Sequence, residues 1–207
     1  MSNLDCLIIG AGGHAKVVIE AIRSREWHVL RVLDEDSAKE GSEFCGYQVG
    51  SLSTDHNLDV RCHIAIGSGE ARRRLATKMR QRVFLTIQHI RAYVSETAKL
   101  GFGCFIGVGA VVQSDTEIDS HTIINSGAII EHDCQIGEFC HIAPGAILGG
   151  GVSVGCSTFI GMGARILPGL AVGNNCVVGA GAVVTSSIPD GETVIGIPAR
   201  TSKISRQ

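Results

Sequence analysis

The chain has 207 residues, 18% of them charged, a formal net charge of −2 and a pI near 6.4. That balance lacks the basic footprint of a nucleic-acid binder, and the length suits one large or two small domains. No apolar run approaches the span of a membrane, and the first, Leu4 to Ile9, is too short for a signal peptide, so the cytoplasm is the expected compartment.

In chain order, LDCLIIG reads as a buried parallel strand ending in the G-x-G-x-x-A turn Gly10-Ala11-Gly12-Gly13-His14-Ala15. Helical spacing follows through Val17, Val18, Ala21 and Ile22, and a second strand, His28 to Leu33, ends on Asp34-Glu35-Asp36. Strand, glycine turn, helix, strand and acid are the opening of a Rossmann-like α/β domain. Its glycines let a phosphate approach the backbone, the helix N-terminus offers unpaired N–H groups, and a carboxylate ending the second strand can bind hydroxyl or base donors. A glycine turn that merely packs helix on sheet would use the same residues.

Further strands are expected near Tyr47 to Val49, at Cys62 to Ile66 and around Val83 to Ile87, with a helix from Glu70 to about Arg80. A domain at residues 1-90 holds only half of a dinucleotide fold, so a mononucleotide or nucleotide sugar suits it better than a hydride carrier. Arg72, Arg73 and Arg74 read as a solvated helix face.

In the second expected domain, 91-207, an aliphatic residue recurs at every sixth position from Val94 to Val184. Four residues after each lies a small or aliphatic one, Ala98, Cys104 and Ala110 through Ala182 and Ile188. A six-residue period marks a parallel β-helix in which three short strands form an 18-residue coil, giving roughly five coils about 4.8 Å apart. Glycines just after the aliphatic tooth, such as Gly101, Gly137 and Gly155, are expected to take tight or positive-φ turns. Cys104, Cys134, Cys140 and Cys176 fall on the inward comb and read as small core hydrophobes. The segment Val194 to Arg200 is expected to cover the open end of the prism.

His121, His132 and His141 fall on neither comb and therefore point out of the prism. His132 is set apart by Glu131 and Asp133 on either side, and by Gly150, one coil later, within Gly149-Gly150-Gly151. A thioester beside His132 would meet bare backbone one strand spacing away, where an N–H can stabilise an oxyanion. A zinc hydration site across an interface is a further reading, but separations of eleven and nine residues lack the short paired spacing of metal histidines. No metal is expected.

The chain resembles the bacterial sugar acetyltransferases that join a small nucleotide-sugar-binding domain to a left-handed β-helix. These include the UDP-4-amino-sugar N-acetyltransferases of bacillosamine-type pathways and the sialic acid O-acetyltransferases. The resemblance is carried by GAGGHAKVV at 10 to 18, the acids at 34 to 36, Asn125 to His132, IGEFCHIAPGA at 136 to 146 and GIPAR at 196 to 200. It implies the handedness, a homotrimer with its site between subunits, and acetyl-CoA as cosubstrate. His132 would be the general base for attack by the 4-amino group of a UDP-4-amino-4,6-dideoxy sugar, and Asn125 would place that acceptor. His141 and an amide of Gly149 to Gly151, above all Gly150, would face the thioester. His14, Asp34 and Glu35, with Gly10, Gly12 and Gly13, would hold the nucleotide sugar. Where relatives place Glu after the catalytic His, this chain has Asp133, so its orienting part is shared in expectation with Glu131. O-acetylation of sialic acid and a non-catalytic nucleotide-binding scaffold are the competing functions.

Overall fold

The computed structural model describes residues 5–54 and 60–202. The N-terminal part comprises β1 (Asp5–Ile9), α1 (Gly13–Ser24), β2 (His28–Asp34), β3 (Glu43–Phe44), β4 (Tyr47–Ser51), β5 (Cys62–Ile64) and α2 (Gly69–Lys78). Its sheet runs β3-β4-β2-β1-β5, parallel except for the β3–β4 hairpin. Strand β1 is continuously apolar because both its faces are covered. Cys6 and Ile8 enter a core under α1, while Leu7 and Ile9 enter another with Leu75 and Ala76 of α2.

The β-helix consists of three faces of six, five and eight strands, parallel except for the last strand, Arg200–Thr201, of the eight-stranded face, which begins at Ile87–Gln88. Partners lie one 18-residue coil apart up to Val184, as in Val111↔Ile129, Glu117↔Gln135 and Ile123↔His141, and the last coil is shortened to 16 residues, as in Val177↔Thr193. The sixfold comb is the core itself, and from Ile106 to Val184 its members are at most 3% exposed. The smaller comb lies near the corners, where Cys and Thr serve alike. Thr116, Thr122 and Thr158 hydroxyls and Cys104, Cys134 and Cys140 thiols donate to backbone carbonyls fifteen residues ahead. These thiols stay protonated: burial pushes Cys104 up to about 11 and Cys140 up to about 12. No such thiol is poised as a nucleophile.

The glycines after each tooth have a different reason from the one expected. Gly101 and Gly137 do not have positive φ; a Cβ at Gly101 would stand 2.5 Å from the Ser120 amide nitrogen, and one at Gly137 2.8 Å from that of Cys156. They allow the next coil to approach, and the left-handed turn falls two residues later, at Gly103, Gly109 or Asp133.

The last residues pack on the end of the prism. Thr193–Ile195 extends the eight-stranded face, Arg200–Thr201 folds back on it, and Val194 and Ala199 enter the core. At the other end α1 lies on outward side chains of the β-helix, burying Phe105 and Ile123 in its own core. The two parts meet with no intervening spacer.

Candidate active site

In the glycine turn only Gly10 is required by local geometry: its φ is +110°, and a Cβ would stand 2.8 Å from Ile66 Cγ1. A Cβ at Gly12 or Gly13 would meet nothing within 4 Å, so both leave open space in front of the uncapped N-terminus of α1. The two acids have partners within the chain. Asp34 accepts from the Ala11 amide at 2.7 Å, the Asp36 amide at 2.9 Å and Lys39 Nζ at 2.9 Å. Glu35 is gripped by both terminal nitrogens of Arg74 at 3.1 and 2.6 Å, with Lys78 3.5 Å away.

His14, at the start of α1, leans over the β-helix. Its ring meets Phe105 edge-on at 5.0 Å and lies 6.2 Å from that of His141. His141 Nδ1 lies 3.1 Å from the Gly67 carbonyl, and its Nε2 lies 3.0 Å from Asn125 Nδ2. Gly67, Ser68 and Gly69 at the start of α2, with His141, Phe139 and Phe159, line a cleft of about 480 Å³. One chain thus brings together His14, Asn125, His141 and the loop after β5.

His132 stands elsewhere. It follows Ile129–Ile130 on the six-stranded face and precedes Gln135–Ile136 on the five-stranded one, whereas Asn125 follows Ile123–Ile124 of the eight-stranded face. They occupy different corners of the prism. His132 Nδ1 is 2.6 Å from Asp133 Oδ2, so the ring donates to the carboxylate and leaves Nε2 as a lone pair. That bond, before any other influence, raises the His132 pKa above 6.5. Asp133 sits at φ +60°, a turn conformation that aspartate tolerates. Glu131 makes no hydrogen bond to His132 among the described residues and acts on it through charge alone.

Beside the ring lies Gly150, where a Cβ would stand 2.6 Å from both Cε1 and Nε2 of His132. The Gly149 amide donates to Ile166 and that of Gly151 to His132, but no carbonyl accepts the Gly150 amide among the described residues. His132 Nε2 and the Gly150 backbone are thus neighbours, and neither that nitrogen nor the Gly150 amide has a hydrogen-bond partner among the described residues.

The outward histidines are not all surface residues, contrary to the simple expectation. His121 is 3% exposed under Phe84, Phe102 and Phe139, and Phe105 lies at the centre of His14 and His63. Burial above all lowers His14 to about 3 and His63, His121 and His141 to about 4. Above the ordinary value of 6.5 these rings are neutral in folded and unfolded chain alike, so their neutral burial carries no penalty there. Between about 6.5 and 4 the unfolded chain takes up protons that the fold refuses, and stability is lost as pH falls. Thermal midpoints recorded through that window are expected to drop steadily on acidification; a flat profile would contradict the neutral cluster.

The largest correction concerns Arg72. Far from being solvated, it is 1% exposed, and its guanidinium donates to five backbone carbonyls, as described below. Arg73 lies over the Phe139 ring at 5.1 Å, and Arg74 alone behaves as a surface ion pair. Among the described residues no three His, Cys, Asp or Glu side chains are grouped as metal ligands.

The architecture is that of a hexapeptide β-helix joined to a small α/β domain. Residues 5–79 match the PglD N-terminal domain, and residues 115–150 and 151–186 match the bacterial transferase hexapeptide repeats. No curated protein sequence matches the chain. A GDP-perosamine N-acetyltransferase variant from Caulobacter crescentus, in complex with CoA and GDP-perosamine, is 36% identical, with 97% of each chain covered and a TM-score of 0.91. The acetyltransferase domain of PglB from Neisseria gonorrhoeae, in complex with acetyl coenzyme A, is 33% identical over 97% of this chain and 100% of that one, with a TM-score of 0.89. WeeI from Acinetobacter baumannii is 26% identical over 96% of this chain and 100% of that one, with a TM-score of 0.88. The chain belongs to this family of acetyl-CoA-dependent sugar acetyltransferases, which join a PglD-type N-terminal domain to hexapeptide repeats.

Proposed function

We propose that this enzyme transfers acetyl from acetyl-CoA to the 4-amino group of a nucleotide-linked 4-amino-4,6-dideoxy sugar, with His132 as general base. The observation that carries the reading is His132 Nε2, held as a lone pair by Asp133 and set beside the unused Gly150 amide. The amine nitrogen attacks the thioester carbonyl, the Gly150 N–H meets the developing oxyanion, and His132 takes the amine proton. Collapse expels the CoA thiolate, which recovers a proton from the imidazolium, so the enzyme ends unchanged. The pyrophosphate is assigned to the open space over Gly12 and Gly13 at the N-terminus of α1, and the sugar to the cleft beside Asn125 and His141.

Because the two groups occupy different corners, a complete site is assembled between copies of the chain in a homotrimer, His132 of one facing Asn125 and His141 of the next. The Asn125 corner supports this reading: Ile90, Val108, Pro144 and Met162 lie in one column at multiples of the coil, interrupted by Ser126, with Ile90 59% and Met162 60% exposed. Such a row of apolar side chains invites a partner surface.

The test is release of free CoA thiol from acetyl-CoA with UDP- and GDP-linked 4-amino sugars and sialic acids offered in parallel. The UDP-linked amino sugar is the expected substrate, and the GDP-linked one bears on the base carried by the Caulobacter relative. Release only with sialic acid would replace the amine by a hydroxyl, and no release would favour a binding scaffold. The shared site has its own consequence. Mixed trimers of His132→Ala and Asn125→Ala chains are expected to recover activity that neither variant has alone; no recovery after subunit exchange would place the site within one chain.

A further inference from the structure

Arg72 uses every donor it has. Nε donates to His121 O at 2.9 Å, Nη1 to Ile66 O at 2.9 Å and Gly67 O at 2.8 Å, and Nη2 to Phe139 O at 3.0 Å and Cys140 O at 2.9 Å. Two of these carbonyls belong to the loop after β5 and three to the β-helix, so a single planar fork joins the two parts. We infer that Arg72 is a positioning residue for the reaction proposed above: by holding Gly67 against the β-helix it selects the tautomer of His141, and through it makes Asn125 present an N–H donor to the ligand.

The polarity of the relay is forced from both ends. The Gly67 carbonyl only accepts, so His141 Nδ1, 3.1 Å away, carries the hydrogen. The Ser126 amide only donates, so Asn125 turns Oδ1 toward it at 2.8 Å. Asn125 Nδ2 then faces His141 Nε2 at 3.0 Å, and that nitrogen accepts. Both ring nitrogens are thus used within the chain, which leaves His141 no part as an acid or base. One hydrogen of the Asn125 amide is taken by His141, and its second has no acceptor among the described residues. The group that binds there is an oxygen acceptor, a thioester carbonyl or a sugar hydroxyl, and not an ammonium.

Arg72→Lys keeps the charge but has three donors on a point and no fork. The test is the tautomer of His141, read by 15N–1H spectra of histidine-labelled protein without substrate, together with steady-state kinetics. Wild type is expected in the Nδ1–H form at neutral pH. Folded Arg72→Lys is expected to show mixed tautomers and a kcat reduced about 10- to 100-fold, with the acid limb due to His132 unmoved. An Nε2–H form in wild type would overturn the relay, and a variant keeping both tautomer and kcat would overturn the part given to Arg72. Lower kcat with an unchanged tautomer would likewise reduce Arg72 to a structural residue. If Arg72→Lys does not fold, Arg72→Gln takes its place; if neither folds, the wild-type tautomer decides. The inference rests on the acetyl-transfer reading, but the spectra need no substrate. Wild type inactive toward every sugar would remove that reading while leaving the relay measurable.

Discussion

His132→Ala is expected to lower turnover by roughly 100-fold or more while leaving fold and assembly intact. The side chain is 63% exposed and contributes nothing to the core, so its loss leaves no cavity. What disappears, in the proposed reaction, is the proton acceptor for the attacking amine. A neutral amine is already a good nucleophile, which is why the loss is not expected to be total; a hydroxyl acceptor would depend on the base far more. In wild type the Asp133 bond raises the His132 pKa, so kcat/KM should rise with pH through a value above 6.5 as the imidazolium gives up its proton. Full activity in the alanine variant, measured by CoA release with a trimeric sample, would remove His132 from the mechanism.

Gly150→Ala should be nearly as damaging, although it adds one methyl. That Cβ would stand 2.6 Å from Nε2 of His132, so the ring must swing aside, taking the lone pair out of line and loosening the bond to Asp133. The obstacle is an exposed side chain and φ is not in the left-handed region, so stability should change by less than about 1 kcal/mol. Gly181→Ala provides the opposite case: φ is +67° and a Cβ there would meet nothing within 4 Å. Backbone strain should lower stability by about 1–2 kcal/mol with turnover unchanged. Thermal melts and initial rates on both variants separate the two. Loss of stability without loss of rate at Gly150 would mean that its lack of a side chain serves folding alone.

The candidate site was partly legible because a solenoid converts sequence spacing into distance. Partners in the regular repeat lie one coil apart, so the 18-residue interval that pairs Ile123 with His141 also set Gly150 against the ring of His132. The same register turned Cys134 and Cys140 inward, away from any chemistry. Less was legible in the glycines. Their positions were plain, yet the reason for Gly101 and Gly137 is the backbone of the next coil, which no local φ preference expresses.

Arg72 shows where local reading fails. In the run Arg72-Arg73-Arg74, α2 turns the first under the domain, the second over Phe139 and the third toward Glu35. The carbonyls that receive Arg72 include those of His121, Phe139 and Cys140, separated from it by 49, 67 and 68 residues; His121 and Phe139 are one coil apart, but no interval ties either to Arg72. Every residue carries a carbonyl, so no residue type marks these partners in advance.

The sequence by itself therefore determined the β-helix, its inward core and the meeting of His132 with Gly150, because each follows from one repeated interval. Only the tertiary structure decided that His121 is covered, that His14 and the loop after β5 meet Asn125 and His141, and that Arg72 is the tie between the two parts. Those depend on where the N-terminal sheet and its helices come to rest on the prism, and that placement is made by non-periodic contacts and by backbone groups on which the side-chain alphabet is silent.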